Sequence, residues 1–556
     1  MAINFTKLCL SVFALIFFAG ESFAQKQEAE NATLTNGATK VACTTCSGGF
    51  YVAQNAGNLA FNVDFAETGF YNLYITAAAP GGEKTNIISI DGNSADFVLE
   101  QNNQYAKFKI VNSYKLTAGQ HKIEIKNSWG YMNIDFIELE KINAQDRFNL
   151  DQTLVTPNPL PEAAALYNFL LDNYGDKIIS GAMTLNSTAD SPWITWLKTN
   201  TGKEPALLGF DLLHSGQGYS WYDDKQPIKD AKAWYERNGI PTILWHWRDP
   251  SNQTDEFYTK NESHPAGTDF DITKISDVNS AEYKAMIADI DFVAGLLKEL
   301  QNNNVPVIWR PLHEAAGGWF WWGAQGAAPL KQLYQVMFDR MVNYHGLRNL
   351  IWVWTREPND EAWYPGDNYV DIVGRDIYKT GDHSSHAIEF NNLNTLYGGK
   401  KMITLSEVGS FPDPDNLVND GAGWAWFMPW YNEYTYEGQY NTLDLWKKAM
   451  AHEYVITLDE MPNLKTYVRQ ETGTTGLFDK FVQQQSFKAY PTFISDKLII
   501  EGDKKIETIA VYNLIGAHIK SQKGTGKKIT VPFAGLQKGY YLVVINGTET
   551  IKVWKE

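Results

Sequence analysis

Between residues 162 and 485 the chain alternates between short apolar stretches and segments with helical periodicity. The helical pattern is clearest at 281–301 and 330–344. Strands that alternate with helices favour a parallel sheet, and eight such units in about 320 residues are typical of a closed (β/α)8 barrel. The middle of the chain is therefore predicted to have this α/β fold. The eight predicted strands are 177–183, 205–212, 241–247, 305–314, 350–355, 370–378, 402–409 and 423–430.

Polar and aromatic residues collect where these predicted strands end, and active sites of such barrels lie at the carboxyl ends of the strands. Glu314 ends the fourth predicted strand and Glu407 lies near the end of the seventh. Two carboxylates on separate strands are what the hydrolysis of a glycosidic bond requires, and strands four and seven face each other closely enough for the spacing of about 5–5.5 Å that a retaining enzyme needs. The other candidates at these ends are Asp211, His246, His313, Trp354, Asp376, Tyr378, Trp426 and Trp430.

Alternative roles remain open for several of these side chains. Taken singly, Glu314 and Glu407 also fit the description of ordinary carboxylates at strand ends. The imidazoles of His246 and His313, with a nearby carboxylate, have the chemistry of a zinc site, although the sequence contains no His-x-x-x-His pair. Arg310 either holds Glu407 anionic through its charge or forms an ion pair in the barrel core.

Composition favours a neutral polysaccharide as the partner. Aromatic residues make up 14% of the chain, 19 of them tryptophans, and indole rings stack on sugar rings. The block that follows Glu314 contains Trp319, Trp321 and Trp322, of which at least one is expected to pack in the core because side chains alternate along a chain. The formal net charge of −16 argues against nucleic acid or an anionic membrane surface.

β-rich segments flank the barrel region. Residues 25–142 contain alternating apolar runs separated by Gly- and Asn-rich turns, which predicts a β-sandwich. Residues 143–161 contain three prolines and are predicted to form a linker, so that the barrel domain spans 162–485. The tail, 490–556, is again β-rich and predicts a small second sandwich.

The first 24 residues have the features of a secretory signal peptide. Lys7 supplies the positive charge, residues 8–18 the apolar region, and residues 22–24 a small-x-small cleavage site. The sequence has no later run of about 20 apolar residues that would span a membrane. Cys43 and Cys46 remain in the mature chain, where a disulfide suits an oxidising compartment; a redox pair or half of a zinc site is the alternative.

The barrel region resembles glycoside hydrolase family 26, whose best-known activity is endo-β-1,4-mannanase. The resemblance rests on Arg-Pro-Leu-His-Glu at 310–314, Trp-Phe-Trp-Trp-Gly at 319–323 and Ser-Glu-Val-Gly at 406–409. It implies that Glu314 is the general acid/base and Glu407 the nucleophile of a retaining double displacement that needs no cofactor.

The same resemblance implies sugar-binding roles for further residues. On the eighth strand Trp430 is the first choice for the subsite tryptophan, and Trp424 and Trp426 are the alternatives. Ala315-Ala316 replaces the bulkier or polar residues often found after the acid, which leaves the contacts with the leaving group open. The other matching residues are His313 before the acid, Trp319 at the cleavage subsite, His246 after the third strand and Tyr378 beside the nucleophile.

The N-terminal unit resembles family 35 carbohydrate-binding modules, through Glu28-Ala29-Glu30 at its start and the segment 129–137 at its end. In such modules two early glutamates and a late aspartate hold a structural Ca²⁺, which implies Glu28, Glu30 and Asp135 as ligands. Hard oxygen ligands from both ends of a sandwich would let the ion fasten the termini together. Trp129 is implied as a sugar-stacking platform, and a core tryptophan is the alternative.

The tail resembles the C-terminal sorting domain of type IX secretion substrates, in Tyr490-Pro491 and in the segments 511–516 and 539–543. It implies that the type IX machinery is a partner and that the protein is secreted or attached to the cell surface. A plain accessory sandwich is the alternative.

Taken together, these features predict a secreted, monomeric retaining endo-β-1,4-mannanase that acts on β-mannan, galactomannan or glucomannan. The same catalytic pair would also serve a β-1,3-xylanase or a mixed-linkage β-glucanase. A catalytically silent surface glycan-binding protein is the alternative outside the enzymes; the loss of either carboxylate would be its signature, and both are present.

Overall fold

The computed structural model describes residues 25–143, 147–184, 191–213, 215–216, 225–358, 360–469 and most of 487–555. The chain divides into two compact units, Met1–Gln470 and Glu471–Glu556. The predicted signal peptide, residues 1–24, lies outside the described residues. Within the described ranges, no helix has the length and apolar character needed to cross a membrane.

The N-terminal part of the first unit is a sandwich of two antiparallel sheets. Its strands are β1 Gln25–Glu28, β2 Thr33–Thr35, β3 Thr39–Ala42, β4 Phe50–Ala53, β5 Asn58–Phe65, β6 Gly69–Ala79, β7 Lys84–Ile90, β8 Asn93–Leu99, β9 Asn102–Leu116, β10 Gly119–Trp129 and β11 Asn133–Ile142. One sheet has the order β3-β4-β11-β6-β9 with β1 paired to β11, and the other has the order β2-β5-β10-β7-β8. Every second residue along β5 is buried, as the predicted alternation requires of a strand with one face on a core.

Cys43 and Cys46 lie between β3 and β4 and are joined by a disulfide. Because the bond uses both sulfur atoms, neither thiol is left to bind zinc. The turn that this disulfide closes leads directly into the short 3-10 turn Ser47–Gly49.

The remainder of the first unit is a closed parallel barrel, which confirms the predicted fold. Its elements are α1 Pro161–Asn173, β12 Ile178–Met183, α2 Pro192–Thr201, β13 Leu207–Asp211, α3 Gln226–Glu236, β14 Ile240–Leu244, α4 Ala281–Asn302, β15 Val307–Arg310, α5 Ala327–Phe338, β16 Leu350–Arg356, β17 Ile372–Ile377, α6 Ala387–Leu396, β18 Met402–Val408, α7 Pro414–Asp420, β19 Trp426–Pro429, α8 Leu443–Ala451 and β20 Val455–Ile456.

The barrel closes because its first strand pairs with both its second and its eighth. Gly181 of β12 is in register with Leu207 of β13, and Ile179 of β12 with Trp426 of β19, both in parallel. The short strand β20 pairs in parallel with the first two residues of β12. After β16 the chain forms the 3-10 turns Glu361–Trp363 and Asp367–Tyr369 where the other strands are followed by an α-helix.

The N-terminal sandwich packs on the helices that follow β17 and β18. Asn93 Nδ2 donates to Asp420 Oδ2 at 2.7 Å, at the end of α7, and Asn112 Nδ2 donates to Asn392 Oδ1 of α6 at 3.1 Å. Arg147 lies over the ring of Phe70 at 4.1 Å. The sandwich and the barrel therefore share one unit rather than being two bodies on a tether.

Within the expected linker, 143–161, the segment 147–160 is bound along the barrel. Asn149 N donates to Gly399 O and Asp151 N to Lys400 O, each at 2.9 Å. These backbone bonds give the segment a fixed path into α1.

The second unit is a small two-sheet β fold, as predicted for the tail. Its core contains Leu498, Val511 and Val543, all buried. The sheet orders are β21-β23-β26 and β22-β28-β27-β24-β25. These strands are β21 Phe487–Tyr490, β22 Phe493–Ile494, β23 Lys497–Gly502, β24 Thr508–Asn513, β25 His518–Lys523, β26 Lys528–Pro532, β27 Gly539–Ile545 and β28 Glu549–Lys555.

Candidate active site

Glu407 lies near the carboxyl end of β18, and its side chain is buried. Tyr378, directly after β17, donates a hydrogen bond from Oη to Glu407 Oε2 at 2.6 Å. Arg310, the last residue of β15, donates from Nη2 to Oε1 of the same carboxylate. Both contacts favour the ionised form, because a positive charge and a hydrogen-bond donor stabilise a carboxylate anion.

Asp376 of β17 is a third buried carboxylate at this place. Arg310 Nη1 donates to Asp376 Oδ2 at 3.0 Å, and Ser406 Oγ donates to Oδ1 at 2.6 Å. Gly374 makes room for Ser406, since a Cβ at that position would lie 2.3 Å from the Ser406 hydroxyl. Arg310 thus pairs with Glu407 and forms a buried ion pair with Asp376 at the same time, which unites the two roles considered for it.

Glu314 lies beyond its strand rather than at its end. The predicted strand 305–314 is too long, because β15 ends at Arg310 and Pro311 has no N–H to continue the ladder. Leu312 and Glu314 both take positive φ, 52° each, a conformation that side chains other than glycine adopt rarely and that tends to occur at functional sites. Trp319 Nε1 donates to Glu314 Oε2 at 3.2 Å. This turn brings the half-buried Glu314 carboxyl to the mouth of the barrel.

The carboxyl groups lie close together. One carboxylate oxygen from each of Glu314, Asp376 and Glu407 lies within 4.8 Å of the other two. Catalytic carboxyl groups about 5–5.5 Å apart are typical of retaining glycosidases, and those of inverting enzymes are about 6.5–9.5 Å apart because a water must fit between them. The spacing therefore suits direct attack by a carboxylate.

The two glutamates differ in electrostatic environment. Burial raises the pKa of Glu314 well above its ordinary value, and the negative charges of Asp376 and Glu407 add to this effect. Burial also raises the pKa of Glu407, but less, because Arg310 and the hydrogen bond from Tyr378 favour its anion. Glu314 therefore keeps a proton at a pH where Glu407 is ionised, the division of roles that an acid and a nucleophile need.

His246 and His313 are hydrogen-bonded to each other beside the carboxylates. Their Nε2 atoms lie 3.1 Å apart, and His246 Nδ1 lies 2.6 Å from Asp211 Oδ2. Burial lowers the pKa of His313 well below its usual range, so this imidazole is neutral. In the part of the chain that the structure describes, the one group of three side chains arranged to surround a metal consists of carboxylates and includes neither histidine. Within these described residues, the two histidines therefore have no third side chain placed to complete a zinc site.

Half-buried aromatic side chains border the site. Trp319 contacts Glu314, and the ring centroid of Trp430 lies 6.0 Å from that of His246. Trp424 and Trp426 are fully buried, so of the three tryptophans considered for the eighth strand it is Trp430 that faces the site. Trp321, Trp322 and Trp354 are also buried in the core.

Sequence reasoning did not single out three residues beside the site. Phe257 and Phe320 pack on the ring of His246, with centroids 4.9 and 5.6 Å away. Glu357 directly follows β16, lies 3.3 Å from Arg375 Nη1 and contributes to the raised pKa of Glu314. The strand-end rule that identified Glu407 would have found Glu357, whereas nothing in the long loop after β14 distinguishes Phe257.

The sequence profile of glycosyl hydrolase family 26 matches residues 155–460, more than half of the chain. The chain belongs to glycoside hydrolase family 26. Two further profiles match, a carbohydrate binding module (family 35) at 25–142 and a secretion system C-terminal sorting domain at 488–555. All three resemblances seen in the sequence are thus confirmed, each on the expected part of the chain.

Relatives of this family 26 chain share its barrel, and the structure of one of them also contains a family 35 module. A mannan endo-1,4-β-mannosidase from Thermothelomyces thermophilus is 36% identical over 446 residues, 79% of this chain and 90% of that protein. The crystal structure of a GH26-CBM35 β-(1,4)-mannanase from Podospora anserina is 34% identical with a TM-score of 0.55, and the match covers 80% of this chain and 100% of that one. The β-mannanase from a symbiotic protist of the termite Reticulitermes speratus, complexed with gluco-manno-oligosaccharide, is 44% identical with a TM-score of 0.54, over 57% of this chain and 99% of that one.

In the family 35 module, Trp129 lies at the end of β10 with 69% of its surface exposed. It is therefore not the core tryptophan that was the alternative. Tyr131 beside it is also exposed. The pair forms an aromatic patch on the surface of the sandwich.

The module also contains the predicted Ca²⁺ site, where the carboxylates of Glu28, Glu30 and Asp135 lie near one another. The antiparallel pairing of β1 with β11 sets Glu28 opposite Phe136, next to Asp135. Each of the three carboxylates has one buried oxygen that finds no hydrogen-bond partner among the described residues. Burial raises the pKa of Asp135, and the charge of Glu28 acts in the same direction.

Proposed function

We propose that Glu407 and Glu314 cleave β-1,4-linked mannan by double displacement. The chain is a mannan endo-1,4-β-mannosidase of family 26, as its relatives over most of its length are, and its sorting domain directs it through type IX secretion to the cell exterior. The observation that carries the catalytic assignment is the pair of carboxyl groups within 4.8 Å of each other, of which Glu314 has the more strongly raised pKa.

In the first step Glu407 attacks the anomeric carbon while Glu314 gives its proton to the departing glycosidic oxygen. The bond from the anomeric carbon to that oxygen breaks, and an ester between the sugar and Glu407 forms. Trp319, which is hydrogen-bonded to Glu314, orients the acid toward the leaving group.

In the second step Glu314 acts as a base and takes a proton from the water that hydrolyses the ester. The structure supplies a reason for this change of role. The charge of Glu407 is one of the causes that raise the pKa of Glu314, and esterification removes that charge. The pKa of Glu314 therefore falls just after this residue has given up its proton. Its carboxylate consequently remains ionised until the water arrives.

Sugar binding is assigned to the aromatic and imidazole groups around the carboxylates. Trp430 and Trp319 offer faces for stacking on sugar rings. A sugar hydroxyl would bind His246 or His313 in place of the hydrogen bond between their Nε2 atoms. Asp211 holds His246 through Nδ1, which fixes the orientation of its ring.

The family 35 module is assigned a glycan-binding and a structural role. Trp129 provides an exposed stacking face that would keep the enzyme on its polysaccharide. Glu28, Glu30 and Asp135 would hold a Ca²⁺, since their unpaired buried oxygens are the hard ligands that this ion prefers. We further propose that the protein acts as a monomer, because a single chain supplies every residue of the site.

Release of reducing sugar from galactomannan, glucomannan, lichenan and β-1,3-xylan by the mature protein tests the proposal, with Glu407→Gln as the control for contaminating activity. We expect release from the two mannans and none from the variant. Release from lichenan or β-1,3-xylan alone would overturn the assignment of mannan as the substrate, and it would leave the assignment of the catalytic pair in place. Full activity in Glu407→Gln would overturn the nucleophile.

A further inference from the structure

The segment between β3 and β4 lies directly against the three module carboxylates. Ser47 donates from its backbone N to Asp135 Oδ2 at 3.2 Å and from Oγ to Glu28 Oε1 at 2.7 Å. Gly48 is close to the third, since a Cβ on this residue would lie 2.3 Å from Glu30 Oε1. The turn Ser47–Gly49 thus touches all three acidic side chains and forms one wall of the site.

The disulfide lies immediately before this wall. Cys43 and Cys46 are bonded, and Ser47 is the next residue along the chain. Two backbone hydrogen bonds tie the turn to the same cysteines, from Cys43 N to Gly49 O at 2.9 Å and from Gly49 N to Cys46 O at 3.3 Å. The covalent link and these bonds together limit where Ser47 can lie.

The site carries unmatched negative charge. Asp135 is only 5% exposed. Its Oδ1, together with Glu28 Oε2 and Glu30 Oε2, has no hydrogen-bond partner among the described residues. Lys26 Nζ lies 3.1 Å from Glu28 Oε1 and offsets one of the three negative charges. A divalent cation that prefers oxygen ligands matches what remains.

We infer that the Cys43–Cys46 disulfide sets the affinity of this site for Ca²⁺ by holding Ser47–Gly49 against the carboxylates. The inference rests on the proposed role of Glu28, Glu30 and Asp135. Without the bond the turn is free to move away, and binding then has to order it, which weakens affinity without removing a single ligand. The disulfide therefore positions one side of the ion site, and general stabilisation of the fold is not its main role.

Calorimetric titration of the EDTA-treated, full-length mature protein with CaCl₂ tests this, using wild type, Cys43→Ser/Cys46→Ser and Asp135→Asn. We expect the double variant to bind about 5- to 30-fold more weakly and Asp135→Asn to lose binding. Equal affinity in wild type and double variant would overturn the inference and leave the carboxylate site standing. Binding that is absent from wild type, or unchanged in Asp135→Asn, would overturn the site itself. Mannan hydrolysis reports whether the barrel of each variant is folded.

A pair of glycine substitutions tests the contact between the turn Ser47–Gly49 and the carboxylates while the disulfide stays intact. Gly48 and Gly49 both take positive φ, 64° and 81°, so alanine is strained at either position. At Gly48 the added methyl group meets Glu30, whereas at Gly49 nothing lies within 4 Å. We expect Gly48→Ala to weaken Ca²⁺ binding about tenfold relative to Gly49→Ala, because it pushes the turn off the carboxylate. Equal affinities in the two variants would mean that the turn has no part in binding, which would overturn the inference.

Discussion

The hydroxyl of Tyr378 donates a hydrogen bond to Glu407 Oε2 at 2.6 Å, while 43% of the tyrosine's surface remains exposed. Its hydroxyl end is buried and the rest of the residue borders the cleft. Burial and the charge of Glu407 raise the pKa of Tyr378 well above its ordinary value, so it stays a neutral donor. One side chain is therefore placed both to stabilise the Glu407 carboxylate and to border the proposed sugar-binding surface.

Removing this hydroxyl should slow the first chemical step. We expect Tyr378→Phe to lower kcat/KM on mannan about 10- to 100-fold, since a hydrogen bond to a charged group is worth about 1.5–3 kcal/mol. Tyr434→Phe is the matched control, because it removes a hydroxyl from the neighbouring ring, whose centroid lies 5.3 Å from that of Tyr378. A similar loss in both variants would show that the bond from Tyr378 to Glu407 is not the specific cause.

The pH dependence of kcat/KM should be bell-shaped, because activity needs Glu407 ionised and Glu314 protonated. The acid limb reports the pKa of Glu407, which the Tyr378 hydrogen bond lowers. In Tyr378→Phe that pKa should rise, so the acid limb should move to higher pH while the alkaline limb moves less. A shift of the acid limb to lower pH would contradict the role of Tyr378.

The acid role of Glu314 predicts a dependence on the leaving group. In Glu314→Ala we expect hydrolysis of mannan to fall by about 10²–10⁴-fold, the usual contribution of general acid catalysis. Activated aryl mannosides, whose leaving groups need no proton, should be slowed far less in glycosyl-enzyme formation. Equal slowing of both substrates in pre-steady-state measurements would exclude the role.

Glu314 should also cost stability at alkaline pH. Its pKa in the folded protein is raised above its ordinary value of 4.5, so the folded state binds the proton more tightly than the unfolded state. The free energy of unfolding therefore decreases as the pH rises from the ordinary pKa of Glu314 to its raised pKa in the folded protein. The contribution of Glu314 to stability is most favourable below that range. Glu314→Gln removes this dependence.

We expect Glu314→Gln to gain about 1–3 kcal/mol over wild type near pH 8 and little near pH 5, measured by denaturant unfolding of the barrel. Glu262→Gln, an exposed glutamate, is the control and should show no such trend. A gain that is the same at both pH values would exclude titration of Glu314 as its cause.

The fold was predictable because its signals are local. Eight apolar stretches separated by helical segments are visible in the sequence, and all eight are strands of the barrel in the structure. Strand ends were less predictable, as β15 shows. The apolar pattern runs on to Leu312, but Pro311 and two residues with positive φ turn the chain away.

The tryptophans show where local signals fail. Trp424, Trp426 and Trp430 lie on one stretch, and all have the side chain needed to stack on a sugar. Two of them are fully buried and Trp430 borders the site beside His246. That distinction depends on which neighbours cover each ring, and those neighbours come from distant parts of the chain.

The sequence by itself predicted the class of fold, the order of the three family segments and the two candidate glutamates, because hydrophobic periodicity and short motifs are properties of neighbouring residues. The family resemblance assigned the acid role to Glu314, but only the tertiary structure supplies a physical reason why this glutamate, rather than Glu407, would keep its proton. That difference arises from burial, from Arg310 on another strand and from Tyr378 on a third, all of which act through space over a few ångströms. The chemistry of Glu314 and Glu407 is therefore set by contacts between residues that are far apart along the chain.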